Sequence, residues 1–270
     1  VLGDSFTWGA TADIGQSWVE IVSHELEADN VLVWNTGVPG TGTKQALANA
    51  QRFMPVMKPN LVILGFYVNN DFWDNLYPLD YYSLVAVPDD GENDRQVFVP
   101  QYKFNHNWEP IPLSSQEIRY SALNVEFYPQ NGVEYFLGLS RIGSLLVQAN
   151  DSIAQLRREQ QGHERSYDET QHLIVELSEY VAANDAKFLV LIIPHYNDLQ
   201  TLGDQYLVIQ QILSESNVDF VEPINNLELR DYVETQGDDH WNNSGHNKVA
   251  GFMLDCLSLI INQADATCAK

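Results

Sequence analysis

Basic residues are scarce in this chain of 270 residues: 14 Lys and Arg stand against 37 Asp and Glu, a formal net charge of −23. A field of that sign repels phosphates, which argues against nucleic acid and anionic membrane surfaces as partners and favours solubility. Cysteine is rarer still. Cys256 falls on the apolar face of the last predicted helix and Cys268 in the tail, so one disulfide is allowed and none is required. No apolar run approaches the roughly 20 residues that a membrane-spanning helix needs. Residue 1 is not Met and reads as the end of a strand, which predicts a trimmed or processed start; the compartment stays open, with an extracellular or periplasmic setting leaned towards.

What is present is a globular composition, 44 % hydrophobic, on a chain long enough for one large α/β domain with a sizeable core. Short β-branched runs alternate with helical periodicities. The segments LVWNTG after Val31, LVILGFY at 61–67, FLVLIIP at 188–194 and VDFVEP at 218–223 read as strands. Their near-continuous hydrophobicity suits a parallel sheet covered on both faces. Counting the chain start, that gives five strands. Helical spacing joins Ile142, Leu145, Leu146, Ala149, Ile153 and Leu156, and again Leu173, Leu177, Tyr180 and Val181. A last helix follows from Val249, Phe252, Met253, Cys256, Leu257, Ile260 and Ile261. Strand–helix–strand alternation predicts a single α/β domain over 1–270, a doubly wound three-layer sandwich on a mainly parallel five-stranded sheet.

One stretch departs from that pattern. From 72 to 138 no helical period is sustained, and LVAVPDDGENDRQVFVP reads as a hairpin around an acidic turn. A connection of this length predicts a cap or small subdomain inserted after the third strand. Its Trp73, Tyr77, Tyr81, Tyr82, Tyr102 and Trp108 either wall a substrate cleft or glue the insert to the core.

In an open parallel sheet, ligands bind beyond the carboxyl ends of the strands, where the connecting loops converge. The segments there are GDSF after the first strand, GVPGTG after the second and VNND after the third, with GDDHWNNSGH before the last helix. Serine, glycine, asparagine and histidine thus arise on four loops that one end of the sheet should gather. A lone Gly-Asp-Ser says little; all four in this order say much more.

With GDSFTWG, NTGVPGTGT, GFYVNND and DDHWNNSGH, the chain resembles the SGNH (GDSL-type) hydrolase family, over its whole length apart from the insert. The resemblance implies a flavodoxin-like α/β/α sandwich, a serine-esterase or lipase activity and no cofactor. It implies Ser5 as nucleophile and His240 as base. Gly40, through its backbone N–H, and Asn70, through its amide, would join the Ser5 N–H as oxyanion donors. Physical chemistry asks for the same parts: a serine hydroxyl attacks only when a base takes its proton, and the oxyanion needs donors fixed in advance.

The carboxylate that orients His240 is the open position. The commoner family spacing places Asp three residues before His, where this chain has Gly237. In an extended loop, residues two apart point the same way. Asp238 is therefore the better candidate, and Asp239 reads as a solvated charge. The Asp-x-His-Trp-Asn pattern is also similar to SGNH relatives that move acetyl groups onto polysaccharides, so hydrolysis and acyl transfer both stay open.

Other readings fare worse. GVPGTGTK departs from a phosphate-binding P-loop where Gly-Lys-Ser/Thr is needed, and there is no G-x-S-x-G elbow. His240 and His246 beside Asp238 and Asp239 match no metal motif. His246 reads as the start of the last helix, with Asn243 or Ser244 as its cap. His195, Trp73 and Trp241 are the candidate substrate contacts, and Asp4 and Asp71 read as loop braces. The expected function is a cofactor-independent serine esterase acting on short-chain acyl esters or carbohydrate O-acetyl groups, on a small-molecule or glycan substrate. O-acyl transfer to a glycan and a non-catalytic carbohydrate-binding module are the alternatives.

Overall fold

The computed structural model describes residues 1–79, 82–87, 95–105, 109–115, 118, 141–233 and 238–262. The chain groups into two compact units, one of residues 1–75 and 166–270, the other of residues 76–165. The first unit is built on a parallel sheet. Strand β1 (Leu61–Tyr67) pairs in register with β6 (Lys187–Ile193), which pairs in turn with the short β7 (Phe220–Val221).

Period-two alternation of apolar side chains divides these strands between two cores. Val62, Leu64, Phe66, Val190 and Ile192 enter one apolar cluster, and Ile63, Tyr67, Leu189, Leu191 and Ile193 the other. Helices cover both faces. Helix α3 (Thr43–Met57), the end of α5 (Arg141–Ala183) and α6 (Asp204–Glu215) bury Ala46, Leu47, Leu177, Ile209 and Leu213 in the first cluster. Helices α2 (Trp18–Leu26) and α7 (Asn243–Asn262) bury Val22, Leu26, Val249 and Met253 in the second. At the start of α2, Ser17 Oγ accepts from Glu20 N while a Glu20 carboxylate oxygen accepts from Ser17 N, so two end-of-helix donors are satisfied reciprocally.

The sheet is smaller than the sequence predicts. Among the described residues, three strands form a parallel ladder instead of five. The two remaining segments lie alongside it with only a few bonds each: Leu2 N donates to Ile63 O at 2.8 Å, and Gly65 N to Leu2 O at 2.9 Å. Thr36 N then donates to Val1 O and Val38 N to Gly3 O, both at 2.9 Å. The sequence predicts burial of the segment at 31–36 on both faces. Val31 and Val33 do pack on the second cluster, but Leu32 is 83 % exposed and Trp34 43 % exposed. An outermost segment has one face and one edge to solvent, and the ladder stops there.

Two helical periods that read as separate in sequence, at 142–156 and 173–181, belong to one continuous helix, α5. Nothing between them interrupts it: the intervening residues contain no proline and a single glycine, Gly162. In the second unit, β2 (Tyr82–Val87) and β3 (Arg95–Pro100) form the antiparallel hairpin expected there, and β4 (Tyr102–Phe104) pairs with β5 (Pro110–Pro112). Tyr81, Trp108, the acidic hairpin turn at 88–94 and most of 116–140 lie outside the described residues. Cys256 is buried on α7 and is not a free thiol; Cys268 lies outside the described residues. Among the described residues, no helix is long and apolar enough to cross a membrane.

Candidate active site

The chain turns sharply where its first strand-like segment ends, and Ser5 opens the short helix α1 (Ser5–Trp8). Asp4 makes that turn. Its Oδ1 accepts the Phe6 backbone N–H at 2.9 Å, which leaves the Ser5 side chain at the start of the helix. The loop after the second strand-like segment packs closely on α1. A Cβ at Gly37 would meet the Trp8 nitrogen at 2.5 Å, so only glycine fits this approach.

His240 stands in the loop ahead of α7. Val233 N donates to His240 O at 2.9 Å, and Tyr232 bridges Trp241 in antiparallel fashion. Trp241 anchors the loop: it is 0 % exposed and packs edge-on against Phe6 and His246. That ring serves the core and has no surface left for a ligand, unlike the substrate contact expected of it. The helix cap also differs from expectation. Asn242, rather than Asn243 or Ser244, accepts Ser244 N at 2.8 Å and Gly245 N at 3.3 Å through its Oδ1.

These two elements bring three side chains into a line. Ser5 Oγ lies 2.8 Å from His240 Nε2, and His240 Nδ1 lies 2.8 Å from Asp238 Oδ1. A carboxylate only accepts, so Nδ1 carries the proton and donates to Asp238; Nε2 is then free to accept from the Ser5 hydroxyl. Asp238 Oδ1 also accepts His240 N at 3.1 Å, which fixes the carboxylate to the residue it faces. Burial works against ionisation of Asp238, but its hydrogen bonds with the His240 ring and backbone hold the carboxyl below the usual range.

Asp239 is not the freely solvated charge expected from sequence. Tyr67 donates its hydroxyl to Asp239 Oδ2, Asn69 Nδ2 donates to the same oxygen at 3.3 Å, and His195 Nε2 stands 4.0 Å away. Burial, then the bond with Asp239, pushes the Tyr67 phenol far above its ordinary value, so it stays a donor. His195 itself caps a short turn after β6, its Nδ1 accepting Asn197 N at 3.2 Å. Asp238, Asp239 and His240 each bring one ligand-type atom within 4.8 Å of the others. Both His240 nitrogens are already engaged, which suits a proton relay better than metal ligation.

The expected oxyanion donors occupy neighbouring loops without a hydrogen bond to this three-residue line. Gly40 is exposed at φ 71°, a backbone conformation open to glycine and strained for most residues. Asn70 precedes the one-turn helix α4 (Asp71–Asp74), where its Nδ2 donates to Asp74 Oδ2 at 2.9 Å. Asp71 Oδ2 accepts Tyr67 N at 3.0 Å and braces the loop. Trp73 is half-buried on the same turn. Three buried carboxyls gather here and resist ionisation: burial raises Asp4 to about 6 and Asp74 to about 7, and lifts Asp71 well above the ordinary value. Neither Asp74 nor the donors to Asp239 are visible in the sequence, because an aspartate four residues after an asparagine makes no motif.

No protein-family model matches the sequence, and no curated protein matches it. Solved structures do. The esterase EstA from Pseudoalteromonas sp. is 11 % identical, with 97 % of each chain covered and a TM-score of 0.50. TesA is 14 % identical, covering 93 % of this chain and 92 % of its own, at a TM-score of 0.47. An acetylxylan esterase from Geobacillus stearothermophilus is 16 % identical over 94 % of this chain and 90 % of its own, also at 0.47. At these identities the likeness is one of fold. What this chain shares with EstA is an α/β architecture with a parallel sheet flanked by helices.

Proposed function

We propose that the protein is a serine esterase in which Ser5, His240 and Asp238 act as nucleophile, base and orienting acid. The observation that carries this reading is the unbroken hydrogen-bond line from Asp238 through His240 to Ser5, 2.8 Å at each step. His240 takes the Ser5 proton as Oγ attacks the ester carbonyl, and Asp238 stabilises the imidazolium that forms. Collapse of the tetrahedral intermediate passes that proton to the leaving alcohol. Water then attacks the acyl-serine with His240 again as base, releasing the acid and restoring the hydroxyl. The oxyanion is held by the Ser5 and Gly40 N–H groups and the Asn70 amide, and each such donor is worth roughly 3–4 kcal/mol.

Short acyl esters, carbohydrate O-acetyl groups among them, are the substrate class we assign. Purified protein should hydrolyse a short-chain ester, and Ser5→Ala should reduce turnover by at least about 10³-fold while leaving the circular-dichroism spectrum unchanged. A Ser5→Ala protein as active as the wild type would sink the proposal. Release of the acyl group only in the presence of a glycan acceptor would reassign the second step from water to a sugar hydroxyl. A wild type inert to both esters and fluorophosphonates would favour a binding module.

A further inference from the structure

Asn70 stands out among the proposed oxyanion donors because its amide is already committed to a partner. Its Nδ2 donates to Asp74 Oδ2 at 2.9 Å, and the Oδ1 of the same amide is buried without a hydrogen-bond partner. An amide nitrogen carries two hydrogens, and the bond to Asp74 uses one. It also fixes the plane of the amide, so the second hydrogen points in a set direction. Asp74 is buried, and the start of α3 packs against it: a Cβ at Gly42 would meet Asp74 Cβ at 3.1 Å. The acceptor that orients Asn70 is thus buried and packed against the start of α3.

We propose that Asp74 is a positioning residue for the oxyanion hole, holding the Asn70 amide so that its remaining N–H faces the substrate carbonyl oxygen. The inference rests on the esterase reading above and adds a residue to it. Its charge state matters for the same reason. Neutral Asp74 accepts from Asn70 through its carbonyl oxygen and sets no charge beside the oxyanion; ionised Asp74 opposes the negative charge that develops there. Burial first, then the Asp4 charge, hold this carboxyl up to about 7. Around it stand Asp4 before α1 and Asp71 on its own turn, both also raised by burial, with His240 acting on Asp4. Lys44 on the first turn of α3 is paired with Glu169 at 3.1 Å. The neutral form prevails below the raised value, so the catalytic benefit is present below about pH 7 and fades above it.

The test is kcat and KM on a short-chain p-nitrophenyl ester across neutral pH, for wild type, Asp74→Ala, Asp74→Asn, Asn70→Ala and the double alanine variant. Asp74→Ala should lower kcat by about 10- to 100-fold with KM changed by less than about threefold. In the Asn70→Ala background the same substitution should cost nothing further. Asp74→Asn keeps an acceptor for Asn70; it should recover most of the alanine loss and lack the decline that wild type shows above about pH 7. The rate of fluorophosphonate labelling at Ser5 should follow the same order. Losses that add in the two backgrounds, or an Asp74→Asn profile falling like wild type, would overturn the inference with the esterase reading intact. A wild type that turns over no ester and takes up no label would overturn both.

Discussion

Asp238 and Asp239 are adjacent in sequence and differ in what they meet. Asp238 takes the proton-bearing nitrogen of His240 at 2.8 Å, whereas Asp239 is held by Tyr67 and Asn69, more than 160 residues earlier in the chain. The two asparagine variants should therefore separate. Asp238→Asn should lower kcat by about 10³- to 10⁴-fold, because an amide that donates to His240 selects the wrong tautomer. Asp239→Asn should cost less than about tenfold, and steady-state kinetics on one ester distinguishes them. Ser5, His240 and Asp238 could be singled out in the sequence because motif order and two-residue alternation point to them, and the structure brings the three into one hydrogen-bonded line. The partners of Asp239 were not legible there, since they depend on which loops meet, and the Asn70–Asp74 bond spans four residues of one turn that make no motif.

At the scale of elements, α7 is tied to the start of α2 by His246. Trp18 N donates to His246 Nδ1 at 3.4 Å, and His246 Nε2 lies 3.5 Å from Ala10 O. Burial lowers this imidazole to about 4 from an ordinary 6.5. A depressed histidine is neutral when folded but takes up a proton when unfolded between those values. Its stabilising contribution is complete above about pH 6.5 and is lost as pH falls toward 4, amounting to about 3 kcal/mol at most. Urea unfolding across that range should show a shallower loss for His246→Gln, whose amide can keep both contacts, than for wild type. Equal slopes would contradict it. Strands β1 and β6, helix α7 and the two stretches that make up α5 were readable from their periods. The edge was not: Val31–Asn35 is as apolar as a buried strand, yet Leu32 and Trp34 face solvent.

Across the whole molecule, charge of one sign prevails. A net −23 on 270 residues, with 14 cations to offset 37 anions, makes the compact state repel itself. Added salt screens that repulsion, since the Debye length falls from about 30 Å at 0.01 M to about 3 Å at 1 M. The melting temperature should therefore rise by several degrees between dilute buffer and about 0.5 M NaCl; a flat or falling trend would show that paired charges outweigh the excess. The same imbalance surrounds a site whose central claim is local, that Ser5 is a nucleophile served by His240. The most direct test is intact-mass and peptide mapping after fluorophosphonate treatment of wild type and Ser5→Ala. A single adduct on Ser5, absent from Ser5→Ala and accompanied by loss of ester turnover, is the predicted result; no adduct, or one on another residue with Ser5 unmodified, would contradict it.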